Sequence, residues 1–152
     1  MRLTVLTDYA LRLLIQVAQT PERLCTIAEI AAAHGISESH LMKVTHLLAQ
    51  HGWIQTLRGK GGGMRLAMPP SQINLGEVVR SMETDFFLVE CFSTGSTCVL
   101  TNRCQLAGAL DGALQAFFSH LDGFTLADIL PRPAKAPQGR VVRVPVRSRS
   151  AT

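Results

Sequence analysis

A glycine-rich run with basic residues, RGKGGG at positions 58–63, restricts the folds that this chain can adopt. Apolar and polar residues alternate before it at 53–57 (WIQTL) and again after it at 64–68 (MRLAM). This alternation predicts two strands joined by a turn. Pro69 and Pro70 end the second strand, because proline cannot continue a ladder of backbone hydrogen bonds. The pattern therefore predicts a β-hairpin with a basic tip.

Three helices are predicted before this hairpin. The first is indicated by apolar residues at helical spacing, namely Leu11, Leu14, Ile15 and Ala18. Ala10, Leu13 and Val17 widen this stripe, so we expect the helix to be buried on two sides. Thr26 and Glu29 have the spacing of a capping box, which begins the second helix, and Gly35 ends it. Ser37 is the expected N-cap of the third helix. Two helices joined by a glycine-containing turn and followed by a hairpin predict a winged helix-turn-helix, a mainly α fold with a small β wing.

The third helix and the wing carry the candidate DNA contacts. The helix face opposite Leu41 is polar and has no acidic residue, and the wing adds cations that can bind phosphates or enter the minor groove. The predicted contact residues are Ser37, Ser39, His40, Lys43, His46, Arg58, Lys60 and Arg65. The alternatives are an ordinary solvated helix face and an ordinary hairpin turn. A nucleotide-binding loop is disfavoured, because the glycines lead into a strand and lack the Gly-Lys-Ser/Thr ending.

The charge is distributed unevenly along the chain, although the net charge is only +4. Residues 1–68 hold seven basic and four acidic side chains, a net charge of +3. Residues 69–130 hold two basic and seven acidic side chains, a net charge of −5. Residues 131–152 hold six basic side chains and no acidic one, interrupted by prolines, which indicates a disordered tail. Only the basic N-terminal half suits a polyanion such as DNA.

The sequence indicates a cytoplasmic protein. No stretch approaches the roughly 20 apolar residues that a membrane-spanning helix needs, and the first residues lack the apolar run of a signal peptide. Thiols stay reduced in the cytosol, so the four cysteines are poor candidates for disulfides.

Three cysteines form a candidate metal site. Cys91, Cys98 and Cys104 have the spacing C-x6-C-x5-C within a stretch rich in serine, threonine and glycine, which offers thiols little apolar surface. In a cytosolic chain this pattern favours a metal or cluster site. Soft thiolates suit both an iron–sulfur cluster and zinc, and redox-paired or free thiols are a further alternative. Cys25 lies at a helix-cap position and is expected to be structural. A thiol enzyme is disfavoured, because no histidine or base motif lies beside Cys91 or Cys98.

A long amphipathic helix is predicted from about residue 102 to 120. Its apolar residues repeat over four turns, namely Leu106, Ala109, Leu110, Ala113, Leu114, Phe117, Phe118 and Leu121. A small domain hardly needs so long an apolar stripe, so we expect a two-fold homodimer that presents two winged helices to a palindromic operator. A core helix within one chain is the alternative. The predicted units are thus a DNA-binding domain at 1–70, a cluster loop with a dimerisation helix at 71–130, and the tail at 131–152.

Several segments resemble a known family. Residues 3–12 (LTVLTDYALR) and 58–66 (RGKGGGMRL) resemble the winged-helix regulators that include NsrR and IscR. Residues 88–92 (LVECF) and 121–128 (LDGFTLAD) are most similar to the NsrR branch, the nitric-oxide-sensing repressors. The resemblance covers residues 1–130 and leaves out the basic tail.

This resemblance implies an iron–sulfur cluster, with 4Fe-4S favoured over 2Fe-2S, that controls binding to double-stranded operator DNA and reacts with nitric oxide. Three cysteines leave one iron without a fourth ligand; IscR-like members use a histidine three residues after the last cysteine, where this chain has Ala107. NsrR-like members use an aspartate of the other subunit, which implies Asp8 of the partner subunit as the ligand. Arg12, one helical turn away, is expected to bind the carboxylate when the cluster is absent. The alternative role for Asp8 is an N-terminal helix cap.

Overall fold

The computed structural model describes residues 2–93, 95–100 and 104–131. Within them it has helices α1 (Val5–Ala18), α2 (Ile27–His34), α3 (Glu38–Gln50), α4 (Leu75–Met82), α5 (Gln105–Asp122) and α6 (Leu126–Ile129), and strands β1 (Ile54–Leu57) and β2 (Gly63–Leu66). Two short 3₁₀ helices span Pro70–Gln72 and Glu90–Phe92. The mainly α fold with one hairpin is confirmed. The predicted disordered tail, apart from Pro131, lies outside the described residues, as does the predicted start of the long helix at 102.

Helix α1 lies at the centre of the core. Thr4 caps it, since its side chain accepts the Thr7 backbone N–H at 3.3 Å. The residues that α1 buries completely or almost completely are Thr7, Ala10, Leu13, Leu14 and Val17. Leu11 and Ile15, which belong to the predicted stripe, are only half-buried. The most buried residues thus include Ala10, Leu13 and Val17, which widen the predicted stripe, because α1 packs against α3, α4 and β2 at once.

Helices α2 and α3 form the predicted helix-turn-helix. The capping box between Thr26 and Glu29 is present, and Glu29 accepts the Thr26 backbone N–H at 2.8 Å. This hydrogen bond and the nearby Arg23 guanidinium hold the pKa of Glu29 below its usual value. Gly35 ends α2 with a φ of 64°, a left-handed conformation that glycine adopts without strain. Ser37 caps α3 as predicted.

The hairpin extends the same core. Strands β1 and β2 pair in antiparallel register from Ile54 opposite Leu66 to Leu57 opposite Gly63. Cys25 joins the outer side of β2 through two backbone hydrogen bonds with Met64, of 2.9 and 2.8 Å. Cys25 is 2% exposed and its thiol lies 2.7 Å from Thr20 Oγ1, so the expectation that Cys25 is structural is confirmed.

The second half of the chain returns to this core. Ile73, which lies just before α4, and Val78 within α4 are fully buried, as is Leu126 of α6. The Leu126 N–H donates to the Ile73 carbonyl at 2.8 Å, and the Leu75 N–H donates to the Phe124 carbonyl at 3.0 Å. The hydrogen bonds hold α6 against the start of α4, and the three buried side chains belong to the same core as the winged helix. No helix in the described ranges is sufficiently long and apolar to cross a membrane.

Candidate functional site

The polar face of α3 displays the side chains that the sequence predicts to contact DNA. Ser39, Lys43 and His46 are exposed, whereas Leu41 and Leu48 on the opposite side are completely buried. Burial of the apolar side prevents the helix from rotating about its axis. The polar face therefore has a fixed orientation relative to the rest of the domain.

Ser37 and His40 organise the N-terminus of α3. Ser37 Oγ accepts the His40 backbone N–H at 3.4 Å and lies 3.0 Å from His40 Nδ1. The ring of Tyr9, from α1, lies beside the same histidine with the ring centroids 6.2 Å apart. Ser37 and His40 are both exposed, so they serve the helix cap and remain accessible to a partner at the same time.

The tip of the hairpin depends on its glycines. Gly59 and Gly61 have φ angles of 95° and 79°, which residues with a side chain rarely adopt. Gly62 has no room for a side chain, since a Cβ there would overlap the Leu57 carbonyl oxygen. The turn consequently exposes its backbone, as close contact with a phosphodiester requires.

The cations of the wing are all exposed, namely Arg58, Lys60 and Arg65. The Arg65 guanidinium donates two hydrogen bonds to Gln55 Oε1, of 3.2 and 3.0 Å, across the β1–β2 pair. Gln55 thus orients one of the three cations while the guanidinium keeps further donors for a phosphate.

Asp8 lies in the first turn of α1 and forms an ion pair with Arg12. The Arg12 Nε donates to Asp8 Oδ1 at 3.0 Å, and its Nη2 lies 2.9 Å from Oδ2. The expected pairing is therefore present in this chain. Asp8 is not the helix cap, because Thr4 has that position. The carboxylate is about half exposed (48%) and accessible to a competing ligand.

The three predicted cysteine ligands line one cavity of about 210 Å³. Cys91 lies in the 3₁₀ helix Glu90–Phe92, and Cys104 immediately precedes α5. The third cysteine is Cys98. The cavity is also lined by Val89, Glu90, Leu100, Leu106 and Ala107. The expectation that the thiols would have little apolar surface around them is wrong, since Leu100 of the loop itself and Val89 and Leu106 on either side of it line the same cavity.

The donor set of this cavity suits a metal that prefers soft ligands. Three thiols face it, and Ala107 supplies no fourth ligand. Asp8 of the same chain does not line the cavity. Among the described residues, no three histidine, cysteine, aspartate or glutamate side chains already stand close enough to hold a metal ion. The three cysteines thus line one cavity, but within the described residues they do not yet form a complete metal site.

Sequence comparison establishes the family. Residues 3–132 match the Rrf2 family, described as iron-dependent transcriptional regulators. The chain belongs to the Rrf2 family. Over 132 residues it is 48% identical to the HTH-type transcriptional regulator NsrR of Bacillus subtilis, covering 86% of this chain and 90% of that protein. The corresponding regulator of Geobacillus kaustophilus is 49% identical over the same shares of the two chains.

Solved structures of Rrf2 relatives share the fold. IscR of T. potens superposes with a TM-score of 0.67 at 23% identity, and the match covers 85% of each chain. CymR of B. subtilis superposes with a TM-score of 0.68 at 24% identity, and the match covers 85% of this chain and 95% of that one. Membership of the family confirms that this Rrf2 chain is a DNA-binding transcriptional regulator and not an enzyme.

Two long-range contacts of this Rrf2 chain are not evident from the sequence. The first is Glu83, directly after α4, whose Oε1 accepts the Thr4 backbone N–H at 2.7 Å and the Thr7 hydroxyl at 2.6 Å. Glu83 begins the segment that leads to Cys91. It therefore links the cysteine-bearing half to the N-terminus of α1, the helix that carries Asp8. No local pattern predicts it, since its partners lie 76 and 79 residues away.

The second contact joins α4 to α5. Arg80 binds Asp122 through two hydrogen bonds of 2.6 and 2.8 Å, and its guanidinium carbon lies 4.3 Å from the Phe118 ring centroid. These hydrogen bonds lower the pKa of Asp122 and raise that of Arg80. Gly76 faces the same carboxylate, and a Cβ there would overlap it. The C-terminal end of the long helix is thus attached to α4.

Proposed function

We propose that this chain is a homodimeric, nitric-oxide-responsive repressor whose iron–sulfur cluster controls binding to a palindromic operator. The cluster ligands are Cys91, Cys98 and Cys104 of one subunit and Asp8 of the partner subunit. Membership of the Rrf2 family and the high identity to regulators named NsrR support this assignment. We infer a 4Fe-4S cluster in preference to a 2Fe-2S cluster.

The observation that carries the proposal is the cavity on which the three cysteines converge. Thiolates are soft ligands that suit iron–sulfur clusters, and three of them leave one iron with a position to fill. A carboxylate at that position binds iron more weakly than a thiolate, so the bound cluster would supply an iron atom that nitric oxide can attack. The apolar residues Val89, Leu100 and Leu106 line this cavity beside the thiols.

The coupling of the cluster to DNA begins at Asp8. This carboxylate has two competing partners, the cluster of the partner subunit and its own Arg12, which lies within ion-pair distance. Exchange between them acts on α1, which packs against the recognition helix α3. Glu83 provides a second connection, since it joins the N-terminus of α1 to the segment before Cys91. A coupling free energy of about 1–3 kcal/mol changes operator affinity about 5- to 150-fold.

The dimer is formed by α5. Of its 18 residues only Phe118 is buried in one chain, and Leu106 remains 62% exposed. A second copy related by two-fold symmetry buries this apolar face and places two winged helices for two operator half-sites. Residues 1–70 then contact DNA, and residues 71–130 bind the cluster and the second subunit.

The DNA-contacting set comprises Ser37, Ser39, His40, Lys43, His46, Arg58, Lys60 and Arg65, all of which are exposed. The α3 side chains face base edges in the major groove, and the wing cations bind the phosphates beside it. This division assigns sequence selection to α3 and general affinity to the wing.

The deciding experiment is a nitric oxide titration of anaerobically purified protein bound to labelled operator DNA. We expect visible absorption, iron and acid-labile sulfide, with loss of absorption and release of DNA in parallel. Asp8→Ala should assemble a cluster that is more labile, with the matched variant Asp111→Ala on α5 as control. Zinc-loaded protein that binds the operator equally well and ignores nitric oxide would favour the structural-zinc alternative. DNA release by a thiol oxidant without iron would favour a redox-switched thiol.

A further inference from the structure

Met42 is an unusual residue on the polar face of α3. Its side chain is 55% exposed, and it belongs neither to the buried core nor to the apolar side chains packed against that core. On a helix it is adjacent to Ser39 and His46, three residues before and four residues after it. A large apolar side chain therefore stands among the polar groups that we assign to base recognition.

The chemistry of the major groove offers one apolar partner for such a side chain. Each base pair presents hydrogen-bond donors and acceptors there, and thymine adds a C5-methyl group. Methionine is unbranched and polarisable, so it can adjust its shape to a methyl group at the base edge. Removing both groups from water is favourable, whereas cytosine at the same position presents no methyl.

We propose that Met42 contacts the C5-methyl group of one thymine in each operator half-site and thereby selects that base. The inference rests on the proposed role of α3 as the recognition helix. It adds an apolar determinant to a contact set that otherwise consists of polar and charged residues. Met42 is exposed and makes no core contact, and alanine is a good helix former, so Met42→Ala should fold normally.

The test uses cluster-loaded protein and a duplex selected by that protein from a pool of randomised DNA. Each thymine of the duplex is replaced in turn by 2′-deoxyuridine, which removes only the methyl group. We expect about a fourfold loss of affinity at one thymine per half-site, the value for one buried methyl-sized group. Met42→Ala should bind the thymine and uridine duplexes equally.

The control is Leu57→Ala, which removes another exposed apolar side chain, at the end of β1. This variant should keep the full response to each uridine. A selected duplex whose uridine replacements change nothing, or a Met42→Ala protein that responds as the wild type does, would overturn the assignment of Met42 alone. Failure of the pool to yield any preferred duplex would overturn the proposed repressor function together with this inference.

Discussion

The two halves of the chain differ in how much of their structure one subunit completes. In the winged helix, α1 and α3 bury Leu13, Leu14 and Leu41 completely. Helix α5 is longer than either of them, yet within one chain it buries only Phe118. The first half is a DNA-binding winged helix whose core is complete within one subunit. The second half has an exposed apolar face and three thiols, for which we propose a second copy of the chain and a cluster.

The largest effect should come from charging the exposed face of α5. Replacing Leu110 and Ala113 with Glu places four carboxylates in a two-fold interface, two from each subunit, and we expect a monomer. Operator affinity should fall about 100-fold or more, because linkage of the two half-sites is lost. Sedimentation velocity and operator titration measure both changes. A stable dimer in the double variant would show that α5 is not the interface. Gln115→Glu, on the opposite side of the helix, should remain dimeric.

Removal of one cysteine thiol should disturb the second half of the chain and leave the fold of the first half intact. Cys91→Ala, Cys98→Ala and Cys104→Ala should each abolish the cluster and lower operator affinity about 5- to 150-fold. The winged helix should keep its thermal stability, because none of these thiols belongs to its core. Iron and sulfide analysis with operator titration tests this. Cys25→Ala is the matched control: it should lose stability and retain the cluster, and loss of iron there would contradict the assignment.

The wing is expected to act through charge alone. The double variant Arg58→Ala with Arg65→Ala should reduce the slope of log affinity against log salt by about 0.9 for each phosphate that is no longer neutralised. Cluster content and the preference for one duplex over another should remain unchanged. Fluorescence anisotropy at several salt concentrations provides the slope. An unchanged slope would exclude the wing from the interface.

A smaller effect should follow from breaking the link between the halves at Glu83. Glu83→Ala removes the acceptor of the Thr4 N–H and the Thr7 hydroxyl, and the free energy of unfolding should fall by about 1 kcal/mol. Cluster loss should then change operator affinity less than in the wild type. Denaturant unfolding and operator titration with and without cluster measure these quantities. Glu22→Ala, at an exposed position before α2, should alter neither. If cluster loss changed the operator affinity of Glu83→Ala as much as that of the wild type, Glu83 would not connect the cluster to the DNA-binding half.

The smallest effect concerns the junction of α4 and α5 and depends on pH. Because Arg80 lowers the pKa of Asp122 in the folded protein, the charged carboxylate stabilises the fold above its unfolded pKa of about 3.9. That stabilisation is lost as the pH falls through the lower, folded value. Asp122→Asn should therefore melt slightly below the wild type at pH 7, and the difference should shrink in acid. Thermal unfolding of cluster-free protein across this range tests it; a constant difference would contradict the ion-pair explanation.

Local features of the DNA-binding half could be predicted from the sequence. The capping box at Thr26 and Glu29, the left-handed Gly35 and the hairpin at 58–63 all formed as expected. Each depends on residues only a few positions apart, so a short stretch of sequence shows both interacting residues. The Asp8–Arg12 pair was predictable for the same reason, because one helical turn separates them.

The tertiary structure decided what joins these pieces. The sequence identified the three cysteines as a group, but the fold brought Leu106 of α5 and Val89 to the same cavity. It also brought Glu83 to Thr4 and Thr7, and Arg80 to Asp122. These partners are separated by 42 to 79 residues, and polar side chains at such distances carry no periodic signal in the sequence. Their pairing follows from the packing of α1, α4 and α5, which a local pattern does not specify.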